Sequence, residues 1–146
     1  MKKSIAIMLL VVSISGCEPL ADARMHLIND SGDTLWYYYT TVNPLPDKSP
    51  FQRSVNNGGL PDTNAVGVDG RQFLPHENKV MLNLGKWDAV IANPYSDSSI
   101  TFFTFSTQIV RTTPWSTIRQ KKLYKSYKFT LNQIKAKNWQ LRMTPK

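Results

Sequence analysis

Apolar residues fall along this chain in two arrangements that predict different elements. Residues 5–12, Ile-Ala-Ile-Met-Leu-Leu-Val-Val, form an unbroken run preceded by Lys2 and Lys3 and followed by Ser13-Ile14 and then the small residues Ser15 and Gly16 before Cys17. The run is well short of the roughly 20 residues that cross a bilayer. A positive start, an apolar centre and small residues at the end are the three parts of an export signal. From residue 24 onward the apolar positions fall instead in short β-branched and aromatic stretches, at 24–29, 34–42, 65–68, 71–74, 79–84 and 100–106, separated by Gly, Pro, Asn and Asp. Such stretches predict strands.

Asp30-Ser31-Gly32-Asp33 carries turn chemistry, so 24–29 and 34–42 are expected to form a hairpin. Residues 43–64, with Pro44, Pro46, Pro50, Pro61 and Asn56-Asn57-Gly58-Gly59, predict a long irregular connection. Residues 86–92 are too few for periodicity to choose between a strand and a helical turn. The aromatic run 100–106 is expected at the centre of a sheet.

The last third alternates helix and strand signals. Thr113-Pro114 supplies an N-cap and a first helical residue for 115–121. In 123–129, Leu123, Lys125 and Tyr127 point one way while Tyr124, Ser126 and Lys128 point the other, as on a strand. Thr130-Leu131-Asn132-Gln133 fits a capping box for a helix over 131–137, with Leu131 and Ile134 on one face. Residues 139–143 alternate Trp139, Leu141 and Met143 inward, and Pro145 stops the strand. The fold class predicted is mainly β, a sandwich or partly open barrel, with one or two short C-terminal helices in a single domain.

Ile14-Ser15-Gly16-Cys17 resembles the lipobox of bacterial lipoproteins. The resemblance implies that residues 1–16 are a signal peptide and that Cys17 is acylated and becomes the first mature residue. Residues 17–23 are then a lipidated tether, and 24–146 the domain. Two or more acyl chains hold a protein firmly at a bilayer, at about 0.8 kcal/mol per buried CH2. Cys17 is the only cysteine, so no internal disulfide is possible and packing alone must stabilise the domain. Glu18 after the cysteine permits transfer to the outer membrane under the proteobacterial sorting rule. The absence of an acidic run there points to the periplasmic face rather than the cell surface.

Charge is unevenly spread. Leaving out Lys2 and Lys3, 16 basic residues face 10 acidic ones, a net of +6. Residues 18–97 hold all 10 acids and only 6 bases, while 98–146 hold 10 bases and no acid. Within the latter, Lys121, Lys122, Lys125 and Lys128 interleave with Tyr124 and Tyr127. In a cytosolic protein that would point to nucleic acid, but export excludes it. The expected partner is an anionic envelope component or an acidic protein, set against a solvated strand edge protected by lysines.

Trp36-Tyr37-Tyr38-Tyr39 is the second anomaly. On a strand, Trp36 and Tyr38 share one face and Tyr37 and Tyr39 the other. One pair belongs in the core; Trp36 and Tyr38 are the candidate platform for a partner, against the alternative that the domain covers both faces itself. Asp33-Thr34-Leu35 resembles the short O-glycosylation signal of Bacteroidetes, with Thr34 as acceptor.

Reactive chemistry is sparse. His26 lies in an apolar strand, and His76-Glu77 lacks the second histidine that a helical zinc site requires. Asp30, Asp33, Asp62, Asp69, Asp88 and Asp97 sit beside turn residues, where Asp is common for backbone reasons. No nucleophile elbow, phosphate loop or multi-cysteine site is present in the sequence. Neither a catalytic set, a cofactor nor a metal is expected.

Pro114-Trp115-Ser116-Thr117-Ile118-Arg119, Tyr127-Lys128-Phe129-Thr130-Leu131, Ile134 and Asn138-Trp139-Gln140-Leu141 together resemble the C-terminal part of a group of small uncharacterised Bacteroidetes lipoproteins, which also open with a strand like 27–35. This implies a lineage and an address but carries no activity to any residue. The function expected is a lipid-anchored envelope protein with a non-enzymatic binding or structural role. An immunity or inhibitor lipoprotein acting on a toxin or hydrolase is the alternative, and an envelope glycan hydrolase the third.

Overall fold

In the computed structural model, which describes residues 21–42, 45–51, 72–94 and 97–143, seven strands and four short helices are present. In chain order they are β1 (Ala21–Asn29), β2 (Leu35–Thr40), β3 (Gln72–Phe73), β4 (Asn78–Leu84), α1 (Trp87–Ile91), β5 (Ser99–Ser106), α2 (Thr107–Thr112), α3 (Trp115–Gln120), β6 (Lys125–Thr130), α4 (Leu131–Ala136) and β7 (Gln140–Met143). The signal segment 1–16, Cys17, the strand expected at 65–68, Asp62, Asp69 and Pro145 lie outside the described residues.

Two sheets form. The first runs β4-β1-β7, with β1 antiparallel to β4 and parallel to β7. The second runs β3-β2-β5-β6 and is antiparallel throughout. Between them lies a core of Met25, Leu27, Met81, Leu141 and Met143 from the first sheet against Tyr37, Phe73, Ile100 and Phe102 from the second, closed by Trp87, Ile91 and Ile134. The other face of the second sheet carries Trp36, Phe103 and Phe105 and is covered by Leu45, Phe51, Val110, Trp115 and Ile118. The expected sandwich therefore has a third layer, and it is not a closed barrel. With both its faces packed, β5 is buried along seven of its eight residues, as an apolar run between two cores must be.

The hairpin expected from residues 24–42 is corrected: β1 and β2 belong to different sheets. The turn residues make a corner instead. Asn29 is fully buried, and its Nδ2 donates to the carbonyls of Asp33 and Leu74, each at 2.8 Å. Its Oδ1 accepts the backbone N–H of Ser31 at 3.0 Å and the Ser31 hydroxyl at 2.6 Å. One amide side chain thus satisfies the backbone where the chain crosses between layers, so no strand ladder is needed there.

Other boundaries shift as well. β1 begins at Ala21, so the domain reaches into the segment read as tether. Residues 86–92 resolve in favour of a helical turn, α1. The sequence pattern did not anticipate α2; Ser106 caps it by accepting the Ile109 N–H at 3.2 Å. Pro114, not Thr113, is the N-cap of α3, and Thr113 instead ends α2. Part of the proline-rich connection is core: Leu45 and Phe51 are buried, and Trp115 Nε1 donates to the Pro46 carbonyl at 2.9 Å. The capping box at Thr130 and Gln133 forms as expected. Trp139 precedes β7 in a left-handed conformation, φ 63°, rather than opening the strand.

Candidate functional site

Two features concentrate the chemistry of the described residues. One is an open cleft at the end of β5 and start of β6, about 290 Å3 in volume. Leu35, Ile109, Leu123 and Phe105 give it apolar walls, and Asp33, Lys125, Tyr124 and Tyr127 supply polar groups. Strand register makes this cleft: Leu35 pairs with Ser106, and Thr104 with Lys125, so their side chains emerge together beyond the edge of the main core. Burial pushes the Tyr127 phenol above its ordinary pKa, partly offset by a hydrogen bond with Thr104. A half-buried phenol, an ammonium and the Asp33 carboxylate beside apolar walls suit an amphipathic group, and the positive excess of this end comes from the neighbouring Lys121 and Lys122.

Only part of the expected basic face is assembled here. Lys121 and Lys122 are exposed at the turn after α3, Lys122 with φ 51°. Lys125 lines the cleft. Lys128, three residues further along a strand of period two, faces the opposite side and pairs with Asp97. Arg119 pairs with Asp47 at 2.7 Å. Lys121, Lys122 and Lys125 thus stay near one end of the fold while Lys128 leaves it.

The aromatic platform is largely absorbed by packing. Trp36 is buried against Phe51 at a ring-centroid distance of 5.6 Å. Its Nε1 has no hydrogen-bond partner among the described residues. Tyr38, half-buried, stacks on Phe103 at 6.5 Å, while Tyr37 and Tyr39 enter the inter-sheet core. Both faces of the aromatic strand are therefore covered by the domain itself. Thr34 is half-buried, its carbonyl accepting the Thr107 hydroxyl at 2.9 Å.

The second feature is an ionic network at the start of β1. Arg24 grips Asp22 through Nε at 2.9 Å and Nη2 at 2.6 Å, and reaches Asp88 at 2.5 Å. Lys135 meets the other Asp88 oxygen at 2.7 Å. The Arg24 guanidinium also lies over the Trp139 ring, 4.2 Å from its centroid. The Arg24 side-chain hydrogen bond, with backbone N–H groups of Trp87 and Arg24, holds the Asp22 carboxyl far below the usual carboxylate range despite its burial. Lys135, then Arg24, lower Asp88 likewise. Sequence reading missed this network because its members are 64 and 65 residues apart in the chain.

Two further described acids are paired, Asp30 with Arg142 at 2.8 Å and Glu77 with Lys79 at 3.8 Å. Asp33 lines the cleft. His26 Nδ1 meets Asn78 Oδ1 at 2.9 Å, and His76 sits exposed in a turn with φ 59°. Among the described residues no group of three or more His, Cys, Asp or Glu is placed to hold a metal ion. No helix among them is long and apolar enough to cross a membrane. No family model, curated protein or solved structure matches the chain.

Proposed function

We propose that this chain is a lipid-anchored protein of the bacterial envelope, held by acyl chains on Cys17, whose domain binds an anionic partner without catalysing a reaction on it. The Met1–Cys17 pattern carries the anchor: a basic start, an uncharged apolar run and Ile-Ser-Gly before the only cysteine. The geometry at the start of β1 supports it, since Asp22, five residues after Cys17, is clamped by Arg24 and Trp87 and would transmit the anchor directly to the fold. For the partner, the support is the cleft with Lys125, Tyr124 and Tyr127, flanked by the exposed Lys121 and Lys122. An acidic protein segment or an anionic glycan group has the matching chemistry. The test of the anchor is Cys17→Ala expressed in the envelope of a Gram-negative host. Loss of metabolic acyl labelling and release from the membrane fraction are expected; retention of both would overturn the reading.

A further inference from the structure

The outer face of the first sheet presents three large apolar side chains to solvent on its edge strand: Val80 at 46%, Leu82 at 67% and Leu84 at 80% exposure. They alternate with Met81, which enters the core, and with Asn83. Lys79 also turns inward, toward the Tyr37 ring and the Gln72 carbonyl, so it does not protect this face. An uncovered apolar edge strand invites association unless something lies against it.

The register says what that is. Leu84 is the Cα partner of Ala21, the first residue of β1, and Gly85 bridges to Ala21 as well. Between Ala21 and Cys17 there are four peptide steps, a reach of about 14 Å when fully extended. Paired Cα atoms across an antiparallel ladder are about 5 Å apart. The ionic clamp on Asp22, together with the Trp87 N–H at 2.9 Å, stops β1 from peeling away to lengthen that reach. A lipid on Cys17 therefore keeps Leu84 within about 20 Å of its own attachment point, so the edge strand stays near the bilayer surface. Lys86, exposed just beyond Leu84, is placed for lipid phosphates.

We infer that the Val80-Leu82-Leu84 stripe is a second membrane contact, which lays the outer face of the β4-β1-β7 sheet against the phospholipid surface. The inference rests on acylation of Cys17. It also sets orientation: α3 and the turn carrying Lys121 and Lys122 belong to the layer on the far side of the second sheet, so they face away from the bilayer, toward a partner.

With Cys17 acylated, L84C introduces the one free thiol, and S116C on α3 gives the matching control. Each lipidated full-length mature protein is labelled with an environment-sensitive fluorophore and reconstituted on phosphatidylethanolamine–phosphatidylglycerol vesicles containing nitroxide phospholipid. Acylation is checked by intact mass. Quenching several-fold stronger at the L84C label than at S116C is expected. Equal quenching at the two sites, or none, with Cys17 acylated and the protein on the vesicles, overturns the docked orientation and leaves the anchor standing. Unacylated Cys17 with release from the vesicles overturns the anchor, and the docked face with it. Shielding of the L84C label in a C17S protein without vesicles assigns the stripe to a second copy and contradicts the inference. L82C, at the next outward position, repeats the comparison if L84C disturbs the fold by circular dichroism.

Discussion

Trp87 donates two hydrogen bonds to Asp22, one to its side chain and one to its backbone. The Trp87 backbone N–H donates to Asp22 Oδ2 at 2.9 Å, and the Trp87 indole Nε1 donates to the Asp22 carbonyl at 3.1 Å. They bind the first strand to the helix that follows its antiparallel neighbour, with Arg24 completing the carboxylate's partners. Removing one side of such a buried, charge-assisted cluster leaves the others unsatisfied. Asp22→Ala is expected to cost about 2 kcal/mol in urea denaturation, chiefly because the buried Trp87 N–H loses its acceptor while the half-exposed Arg24 keeps Asp88, and Trp87→Ala, which also empties a fully buried site, about 4 kcal/mol.

The same cluster sets a pH dependence. The Asp22 and Asp88 carboxyls are held below their ordinary values, Asp22 by Arg24 and Asp88 by Lys135 and Arg24. Their contribution is therefore fully present above the ordinary carboxylate range, about pH 4, and is lost as the pH falls below it, because the unfolded chain takes up protons first. The urea midpoint of the natural chain should drop as the pH is lowered from about 5 to 3. Asp22→Asn should show a visibly shallower decline; an unchanged slope would remove Asp22 from this role.

Asn29 tests the corner between the sheets. Its side chain satisfies two carbonyls and the Ser31 N–H at once, so Asn29→Leu, close in size but without these bonds, is expected to destabilise by about 2–3 kcal/mol. Asn29→Asp should fail as well, since it loses the two amide donations.

Much of the strand content was legible because alternation and aromatic density are local signals. Residues 100–106 read as an inner strand, and the capping box at Thr130 and Gln133 needed only a four-residue pattern. The fate of residues 30–33 was not legible. Asp-Ser-Gly-Asp has hairpin chemistry, and only the carbonyls of Phe73 and Leu74, over 40 residues away, let Asn29 turn the chain into another layer. Leu45 and Phe51 have the setting of loop residues because prolines surround them; Phe51 is buried against Trp115 and Phe105, and Leu45 joins the same cluster. The lysine cluster was half legible. Period two separates Lys125 from Lys128, but the Asp97 partner of Lys128 comes from a distant turn.

That division yields a prediction for binding. Lys121→Glu, Lys122→Glu and Lys125→Glu together should lower capture of the anionic partner from detergent-solubilised native envelope at least tenfold, about 1.4 kcal/mol. Lys128→Glu alone should leave capture within about twofold, because that side chain faces the other way. Equal effects of the two sets would contradict the assignment of the cleft end as the binding surface.

The anchor, the docked sheet face and the orientation of the domain all depend on the lipid at Cys17. Intact-mass measurement of the protein extracted with detergent from a bacterial envelope reads it directly. A chain beginning at Cys17, heavier than its residues by the mass of attached acyl groups, is the predicted result. A chain that begins elsewhere, or that starts at Cys17 with an unmodified thiol, would contradict the lipid anchor and everything placed upon it.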